Sequence, residues 1–479
     1  MKVLHIGWGF RPWRGGGLIE YTEDLMDIQA RHGYEVFYFF SGRHYPFLKT
    51  PRLVRWKRKG IVMYEIVNSP IIHGGDKGSS NPNLDITEPF TENFFKKVLN
   101  EIKPDIIHIQ ELAGLPSSLI EIIKENNLPV VMTLHDYFLL CPTLKLFDTE
   151  GNVCLDKNIG NRCVICCKNA PKNNLSLIKN TFIYEVKKRK WCHFPLKFFY
   201  SVFFKLFLKK IKKIRKSSFF QIENFNRSQA NLFQKRRDIN INRLNKIDLL
   251  IAQSYKVEEI YRKFLQRTNG IITLHSTVKH IEYIKERKMK DVKFPINFVT
   301  LNGCVSIPKG AKLILETLKK LNKKPIKKYF KLHIFGGLAK EIKEEILSFN
   351  NVIYHGSYRV EQLNELLEKM DVGIVPSLWE EAYGYVGIEL LAKGIPVIGN
   401  KRGGIVDYVK ENVTGWINKS CSSNELADII QRIIENPEKI LVLNKRIIQN
   451  KNEIIKNMEQ HFLEIDKIYK ELLQKKYEK

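Results

Sequence analysis

Two glutamates, Glu381 and Glu389, lie eight residues apart in the stretch SLWEEAYGYVGIELLAKGIPVIGNKRGG. The first falls in a glycine-containing loop, and the second falls about two turns into the apolar helix predicted after it. Residues 383–386 would place backbone N–H groups at the start of that helix, where unpaired donors and the helix dipole favour an anion. Two carboxylates beside an anion site suit a ligand with hydroxyl groups at both ends and phosphate between them, which is the shape of a nucleotide sugar. Without further signals, a glutamate pair at this spacing would more often, by roughly nine to one, bind no ligand.

The elements that must position these glutamates form two series of short apolar strands alternating with helices. Strands are expected at VLHIGW, EVFYFF, IVMYEI, DIIHIQ, VVMTLH and LLIAQS, and then at INFVTLNG, FKLHIFGG, NVIYHG, VGIVPS and IPVIGN. Such runs indicate parallel sheets that helices cover on both faces. The sequence therefore predicts an α/β protein with two doubly wound domains and a ligand cleft at the carboxyl ends of the strands. A length of 479 residues also favours two domains over one.

The motifs resemble those of the retaining family-4 glycosyltransferases, which have the GT-B fold. The similarity rests on E-x7-E, on GIPVI, on the turn Gly403-Gly404 and on Asp407 with the TG pair at 414–415. It extends to VLHIGWGFRPWRGGGLIEYTEDL, KPDIIHIQE, LPVVMTLHD and LNGCVSIPKGAKLILETL, and it covers most of the chain except about residues 142–246. The resemblance implies two Rossmann-like domains that face each other across a cleft.

The domain boundaries follow from the motifs and from the charged stretch at 277–295. Residues 1–280 are expected to form the acceptor-side domain, and residues 296–455 the nucleotide-sugar domain. The resemblance implies that a helix in 456–479 crosses back to the first domain. The first domain contains a cysteine-rich loop, 141–167, and a basic aromatic insertion predicted to be helical, about 168–246.

The resemblance also implies roles for the candidate site residues. Glu389 would accept hydrogen bonds from ribose hydroxyls, and Glu381 would contact hydroxyls of the transferred sugar. Lys309, in SIPKG, would bind the diphosphate, and His135, in TLHD, would lie near the sugar. A strand-end histidine bonded to backbone is the ordinary alternative for His135. The backbone groups expected to face the donor belong to Gly16, Gly17, Gly384, Tyr385 and Val386.

The reaction implied is transfer of a sugar, with retention, from a nucleotide-diphosphate sugar to a hydroxyl of a glycan or lipid-linked acceptor. It requires no cofactor, because the helix N-terminus and Lys309 supply the positive field that a metal could provide. One departure from the family pattern is Cys304, where an arginine is common; Arg359 and Arg402 are spare cations. A sugar-nucleotide epimerase and a GT-B scaffold without turnover remain open alternatives.

Five cysteines lie close together in the loop after His135. Cys141, Cys154, Cys163 and Cys166 have the spacing C-x12-C-x8-C-x2-C, and Cys167 follows directly. Four thiolates with a C-x2-C pair suit a tetrahedral structural zinc, and reduced thiols fit nearly as well. A polar loop of this length needs a stabilising cross-link to be ordered, so we favour zinc slightly over free thiols.

The basic charge is concentrated in one segment. The chain carries a net charge of +28, and residues 168–246 hold 21 Lys and Arg against three acids, which leaves +18. Within this segment, FPLKFFYSVFFKLFLKKIKKIRK combines aromatic residues and lysines in a helix suited to an anionic membrane surface. Packing against the first domain ranks second. Nucleic acid ranks third, because the sequence shows no nucleic-acid module.

These observations predict where the protein acts. The chain contains no uninterrupted run of about 18 apolar residues, so no membrane span is predicted. The N-terminal residues are expected to form the first strand rather than a signal peptide. We expect a cytoplasmic protein, peripheral on the inner face of the cell membrane, that takes part in polysaccharide or cell-envelope glycan synthesis.

Overall fold

The computed structural model describes residues 1–46, 50–188, 227–266 and 270–477. It contains one eight-stranded and one six-stranded sheet, each with helices packed against it. The first sheet has the order β3-β4-β2-β1-β5-β6-β7-β8, and every neighbouring pair is parallel except β3 with β4. Its strands are β1 (Lys2–Gly7), β2 (Glu35–Ser41), β3 (Arg52–Arg58), β4 (Ile61–Val67), β5 (Ile106–Ile109), β6 (Val130–Leu134), β7 (Leu249–Ala252) and β8 (Ile271–Thr273).

The second sheet is entirely parallel, in the order β11-β10-β9-β12-β13-β14. Its strands are β9 (Ile296–Leu301), β10 (Phe330–Phe335), β11 (Val352–Gly356), β12 (Val372–Val375), β13 (Val397–Asn400) and β14 (Gly415–Asn418). The central strands are buried along their whole length, as expected for apolar runs with helices on both faces. The prediction of a GT-B architecture with two Rossmann-like sheets is confirmed.

Helices fill the connections between the strands and extend beyond the last one. The longer helices are Gly17–Arg31, Pro89–Ile102, Leu119–Glu125, Leu175–Lys188, Arg227–Leu244, Tyr255–Phe264, Ala311–Asn322, Tyr385–Ala392, Ser423–Glu435, Glu438–Gln449 and Met458–Tyr477. The shorter ones are Pro82–Ile86, Arg162–Cys166, Lys343–Leu347, Leu363–Leu366, Ile405–Tyr408 and Lys451–Ile454. Within the described residues, no helix is both long and apolar enough to cross a bilayer.

The last helix, Met458–Tyr477, lies against the first domain. Its buried Tyr469 accepts a hydrogen bond from the side chain of Gln29 and contacts Nδ1 of His108 at 2.6 Å. His461, one turn into the same helix, bonds the hydroxyl of Tyr21 at 2.8 Å. The chain therefore passes between the domains twice.

The helix Arg227–Leu244 anchors the cysteine-rich loop to the first domain. Arg236 is fully buried, pairs with Asp85 at 2.7 Å and donates to the carbonyl of Phe138. Arg237 donates to the carbonyls of Leu140 and Asp156 at the two sides of the loop. Several cations of the basic segment are thus internal and hold backbone. The aromatic stretch at 194–216, on which the membrane prediction rests, lies outside the described residues.

Candidate functional site

A cavity of about 600 Å³ lies between the two domains, at the carboxyl ends of both sheets. The structure brings all nine donor-site and catalytic candidates to its wall: Gly16, Gly17 and His135 from the first domain, and Lys309, Glu381, Gly384, Tyr385, Val386 and Glu389 from the second. These residues span more than 370 positions of sequence, so only the folded chain unites them. Their individual roles stay predictions.

Glu389 lies on the helix Tyr385–Ala392 and is 5% exposed. Its Oε1 accepts a hydrogen bond from Nε2 of His280 at 2.9 Å, whereas its buried Oε2 has no hydrogen-bond partner within the described residues. A buried carboxylate oxygen without a donor is costly, by about 1–3 kcal/mol. This oxygen is therefore prepared to accept a hydrogen bond from a ligand in the cavity.

His280 links Glu389 to the first domain, because its Nδ1 donates to Oε1 of Glu20 at 3.0 Å. Burial alone would lower the pKa of His280, but the hydrogen bonds and charges of the two carboxylates raise it to about 9. The imidazolium therefore donates to one glutamate from each domain at neutral pH. Sequence reasoning missed this histidine, which lies in the charged junction and belongs to no quoted motif.

Glu381 is held in place by three donors. Its Oε1 accepts from Lys309 Nζ at 2.5 Å, from Ser377 Oγ at 2.6 Å and from Trp379 Nε1 at 2.9 Å. Glu381 and Lys309 are thus an ion pair on the cavity wall rather than two separate ligand contacts. Because Lys309 keeps a third of its side chain exposed, it can reach a bound anion from this position.

The turn Gly403-Gly404 supports the backbone on both sides of Glu381. The amide of Gly404 donates to the carbonyl of Glu381 at 2.8 Å. A Cβ atom added to Gly403, whose φ is +50°, would lie 2.0 Å from that same carbonyl oxygen. The two glycines therefore permit a close approach of backbone to backbone that a larger residue would prevent.

Gly384 precedes the helix Tyr385–Ala392 with φ of +84°, a left-handed conformation that glycine adopts readily. The next residue, Tyr385, crosses the cavity and packs on Gly17, where an added Cβ would lie 2.7 Å from the tyrosine ring. Its hydroxyl donates to Ser276 Oγ at 2.8 Å. The start of the donor helix thus touches the glycine loop of the first domain.

His135 bridges two glutamines with both ring nitrogens. Nε2 lies 2.9 Å from Gln110 Oε1, and Nδ1 lies 2.9 Å from Gln253 Nε2. An amide oxygen only accepts, so the ring proton belongs on Nε2. Burial lowers the pKa of His135 to about 3, against the opposing bond from Gln253. The histidine is neutral, and it can bond a ligand only by exchanging one of these partners.

Further residues on the cavity wall carried no prediction as site residues: Leu18, Glu20, Gln253, His280, Asn302, Gly336, Gly337, Ser357, Tyr358, Val360, Trp379, Ala382 and Tyr383. Some had a sequence signal, since the glycines end the strand in KLHIFGG and Asn302 ends the strand in INFVTLNG. Glu20 lies in GGGLIEYTEDL and Gln253 follows the strand in LLIAQS, but nothing in these stretches singles out either side chain as a site residue.

The position of Cys304 contributes no charge to the cavity. Its side chain is fully buried, and burial raises the pKa of the thiol to about 12. Arg359 and Arg402 do not supply the charge that an arginine at position 304 would bring, because neither lines the cavity. Arg402 Nε donates instead to the carbonyl of Leu378. Among the described residues on the wall, Lys309 and His280 supply the positive charge.

The four cysteines predicted to bind zinc do not form a ligand cage. Over the described residues, no three Cys, His, Asp or Glu side chains converge at metal-ligand spacing. Cys141 Sγ contacts Thr143 Oγ1 at 3.2 Å, and Cys163 packs in an apolar cluster with Phe233. The loop is also held without a metal, because Arg237 donates hydrogen bonds to the backbone carbonyls of Leu140 and Asp156. The cysteines are free thiols here, and zinc stays a prediction.

Comparison with known families identifies the second domain. Residues 290–453 match the family model of the glycosyl transferases group 1. These residues belong to that family. The matched residues contain Lys309, Glu381 and Glu389, the three charged side chains of the second domain that line the cavity.

Solved structures with similar folds span nearly the whole chain. Sucrose-phosphate synthase from Thermosynechococcus elongatus superposes with a TM-score of 0.63 and 16% identity, covering 99% of each chain. The HepE protein of Anabaena in complex with UDP-glucose superposes with a TM-score of 0.59 and 14% identity, covering 98% of this chain and all of the other. At these identities, the likeness concerns the fold, which includes both domains of the chain.

Curated relatives match over shorter or weaker alignments. A lipopolysaccharide 1,2-N-acetylglucosaminetransferase of Salmonella typhimurium is 28% identical over 156 residues, which are 30% of this chain and 40% of that protein. An uncharacterized 41.2 kDa protein of the cps region of Klebsiella pneumoniae is 24% identical over 351 residues, covering 68% of this chain and 89% of that protein. The chain thus spans less than half of the length of the Salmonella enzyme it matches.

Proposed function

We propose that the protein transfers a sugar from a nucleotide-diphosphate sugar to an acceptor hydroxyl. The observation that carries this proposal is that Glu389, on the cavity wall, has a buried Oε2 without a donor among the described residues. A ribose hydroxyl would supply the missing hydrogen bond. The relatives support this ligand class, because the HepE structure contains UDP-glucose.

The diphosphate is proposed to lie between Lys309 and the start of the helix Tyr385–Ala392. The helix N-terminus presents unpaired N–H groups and a partial positive charge. Lys309 adds a full charge and lies within 2.5 Å of Glu381. On arrival of the diphosphate, the lysine can contact phosphate oxygens while Glu381 keeps its bonds from Ser377 and Trp379.

The chemistry we propose is transfer with retention of configuration. The bond between the anomeric carbon and the diphosphate oxygen breaks, and the acceptor oxygen bonds the anomeric carbon on the same face. The acceptor proton passes to the leaving diphosphate, whose charge Lys309 and the helix N-terminus stabilise. These groups supply the positive field in this scheme, so it includes no metal-dependent step and no nucleophilic side chain.

The acceptor is proposed to be a glycan or lipid-linked hydroxyl compound in cell-envelope glycan synthesis. The Salmonella relative is named for an enzyme of lipopolysaccharide, and the Klebsiella relative is named for a cps region. The lysine-rich aromatic stretch at 194–216 would place the protein at an anionic membrane surface. Co-sedimentation with anionic vesicles at low salt tests this placement, and failure to bind them would contradict it.

The proposed function is tested by thermal unfolding and donor hydrolysis with a panel of UDP- and GDP-sugars. One nucleotide should raise the melting temperature by mass action, and its sugar should be hydrolysed slowly without acceptor. Glu389→Ala should reduce the shift at a given nucleotide concentration, whereas Glu344→Gln, an exposed change in the same domain, should keep it. No binding and no hydrolysis by the native protein would favour a scaffold, and conversion of the donor to its epimer would favour an epimerase.

The stereochemical part of the proposal needs its own measurement. Proton NMR of the first product formed reports whether the anomeric configuration of the donor is kept. An inverted first product would contradict retention while leaving the transferase assignment intact.

A further inference from the structure

Three N–H groups without hydrogen-bond partners lie in adjoining segments of the first domain. They are Trp8 Nε1, Arg14 Nε and His44 Nε2, each shielded from solvent. All three belong to the residues that follow neighbouring strands, since β1 ends at Gly7 and β2 ends at Ser41. Ligands in doubly wound folds bind outside the carboxyl ends of strands, so these donors stand where a ligand is expected.

The guanidinium of Arg14 is the charged centre of this group. It lies 4.4 Å from the ring centroid of Trp8 and 4.6 Å from that of Trp13, stacked against both indoles. Aromatic faces on two sides fix the plane of the guanidinium. Burial lowers the pKa of Arg14 to about 9, so the side chain is still charged at neutral pH.

Neighbouring arginines have the carboxylate partners that Arg14 lacks. Arg11, three residues earlier, pairs with Glu20, Glu23 and Asp24. Arg43, beside His44, pairs with Glu65 and Glu185. Over the described residues, no carboxylate forms an ion pair with Arg14. Arg14 is half-buried and its shielded Nε has no acceptor, which makes this cation a candidate to receive an anion from outside the chain.

His44 carries the third unpartnered nitrogen and lies close enough to Arg14 for its charge to act on the ring. Its ring is 1% exposed, and its Nδ1 lies 3.5 Å from the side-chain amide of Asn174. Burial, followed by the charge of Arg14, lowers the pKa of His44 to about 4. A neutral ring whose Nδ1 accepts from an amide carries its proton on Nε2. Trp8, Arg14 and His44 therefore all present donors, and none presents an acceptor.

The glycine loop that follows Arg14 connects this cluster of donors to the proposed donor cavity. A Cβ atom added to Gly15 or Gly16 would meet nothing within 4 Å, so the glycine loop that follows Arg14 borders open space. Gly16 and Gly17 themselves line the cavity between the domains. An anion held at Arg14 would thus lie on the acceptor side of the transferred sugar, within a few residues of the reaction site.

We propose that Trp8, Arg14 and His44 form an oxyanion subsite that binds a phosphate or carboxylate group of the acceptor. This inference rests on the proposed function and specifies its acceptor class as anionic. The planar guanidinium can contact two oxygens of one such group, and Trp8 and His44 add neutral donors around it. The acceptor would be oriented by its charged group while its hydroxyl faces the donor sugar.

The test measures anion binding to the full chain by tryptophan fluorescence, because two indoles contact Arg14. Inorganic phosphate and acetate are titrated with the nucleotide site saturated by the nucleoside diphosphate that raises the melting temperature. We expect saturable binding of at least one anion, and the stronger one identifies phosphate or carboxylate as the acceptor group. Arg14→Met should weaken binding at least tenfold, and Arg31→Met, an exposed arginine of the same domain, should not change it.

Transfer assays separate this subsite from the transferase assignment. With glucose, glucose 6-phosphate and glucuronic acid as acceptors, we expect an anionic acceptor to have the higher kcat/KM and Arg14→Met to remove that preference. Donor hydrolysis without acceptor should be equal in the native protein and in Arg14→Met. Equal anion binding by native and Arg14→Met protein, or none by either, overturns the subsite. If no nucleotide binds, the proposed function fails, and the anion titration without nucleotide still decides the subsite.

Discussion

The two walls of the cavity differ in how their polar groups are partnered. On the second domain, Glu381 accepts three hydrogen bonds before any ligand is present, and the turn Gly403-Gly404 fixes its backbone. In the first domain, next to the glycine loop of the opposite wall, Nε of Arg14 and Nε2 of His44 have no hydrogen-bond partner among the described residues. A wall whose groups are already bonded fixes geometry, whereas donors without partners contribute binding energy only when an anion arrives. The comparison predicts different consequences for substitutions on each side.

The largest effect is expected where the second-domain wall is most tightly packed. Gly403→Ala places a methyl group 2.0 Å from the carbonyl of Glu381 at a positive φ. Overpacking and left-handed strain together should lower the free energy of unfolding by about 4 kcal/mol. Urea denaturation measures it. Gly356→Ala is the matched control, because Gly356 also has positive φ but open space around it, so only about 1–2 kcal/mol should be lost. Equal losses would show that strain alone governs both.

Lys309→Met should reveal how much of the rate depends on the charge of the second-domain wall. Loss of a fixed charge beside the leaving group should lower kcat about 100-fold, or about 3 kcal/mol. Glu381→Gln keeps the bonds from Ser377 and Trp379, so it should hurt transfer more than nucleotide binding. Steady-state transfer assays and nucleotide titrations measure both. A change in nucleotide affinity as large as the change in rate would contradict this division.

His280 joins the two walls, and its effect should depend on pH. Its pKa is about 9 in the folded protein, above the ordinary 6.5, so its contribution is complete below pH 6.5 and is lost as pH rises through 9. The loss of stability over this window should be at most about 3 kcal/mol, from about 1.4 kcal/mol for each pH unit. Urea midpoints at several pH values should fall in the native protein and change less in His280→Gln. Parallel curves would mean that His280 is not the titrating group.

Glu389→Ala should have the smallest of these effects, on nucleotide affinity alone. Loss of hydrogen bonds to a charged carboxylate should cost about 2 kcal/mol, or roughly 30-fold in Kd. Calorimetric titration with the nucleoside diphosphate measures this, and kcat at saturating donor should fall less than in Glu381→Gln. Equal effects from the two glutamates would remove the distinction between a ribose contact and a sugar contact.

The sequence predicted the main architecture, and it missed elements whose pattern is weak. The structure contains both series of strands at the positions that the short apolar runs predicted. Arg52–Arg58 escaped notice because it is an edge strand with alternating charged residues, and Ile271–Thr273 is only three residues long. Strand prediction from apolar runs detects buried central strands, because both of their faces must be covered.

The candidate site was predictable where one motif contains several of its residues. Glu381, Gly384 and Glu389 lie within nine positions, so their spacing identifies them. His280 and Arg14 could not be found in this way. The first acts through Glu20 and Glu389 from distant segments, and the second is distinctive because no carboxylate of the described residues forms an ion pair with it. A missing partner has no sequence pattern, since it is a property of the folded surroundings.

The return of the last helix to the first domain has a mechanical consequence. Two connecting segments join the two domains, one near residues 274–295 and the other near residues 450–457. Two connections restrict the relative motion of two domains, because rotation about the axis through both connections strains the chain less than any other rotation. We therefore expect the cavity to open mainly along one direction. Removal of Met458–Tyr477 would leave a single connection between the domains. It would also expose Gln29 and His108, the buried partners of Tyr469 in the first domain.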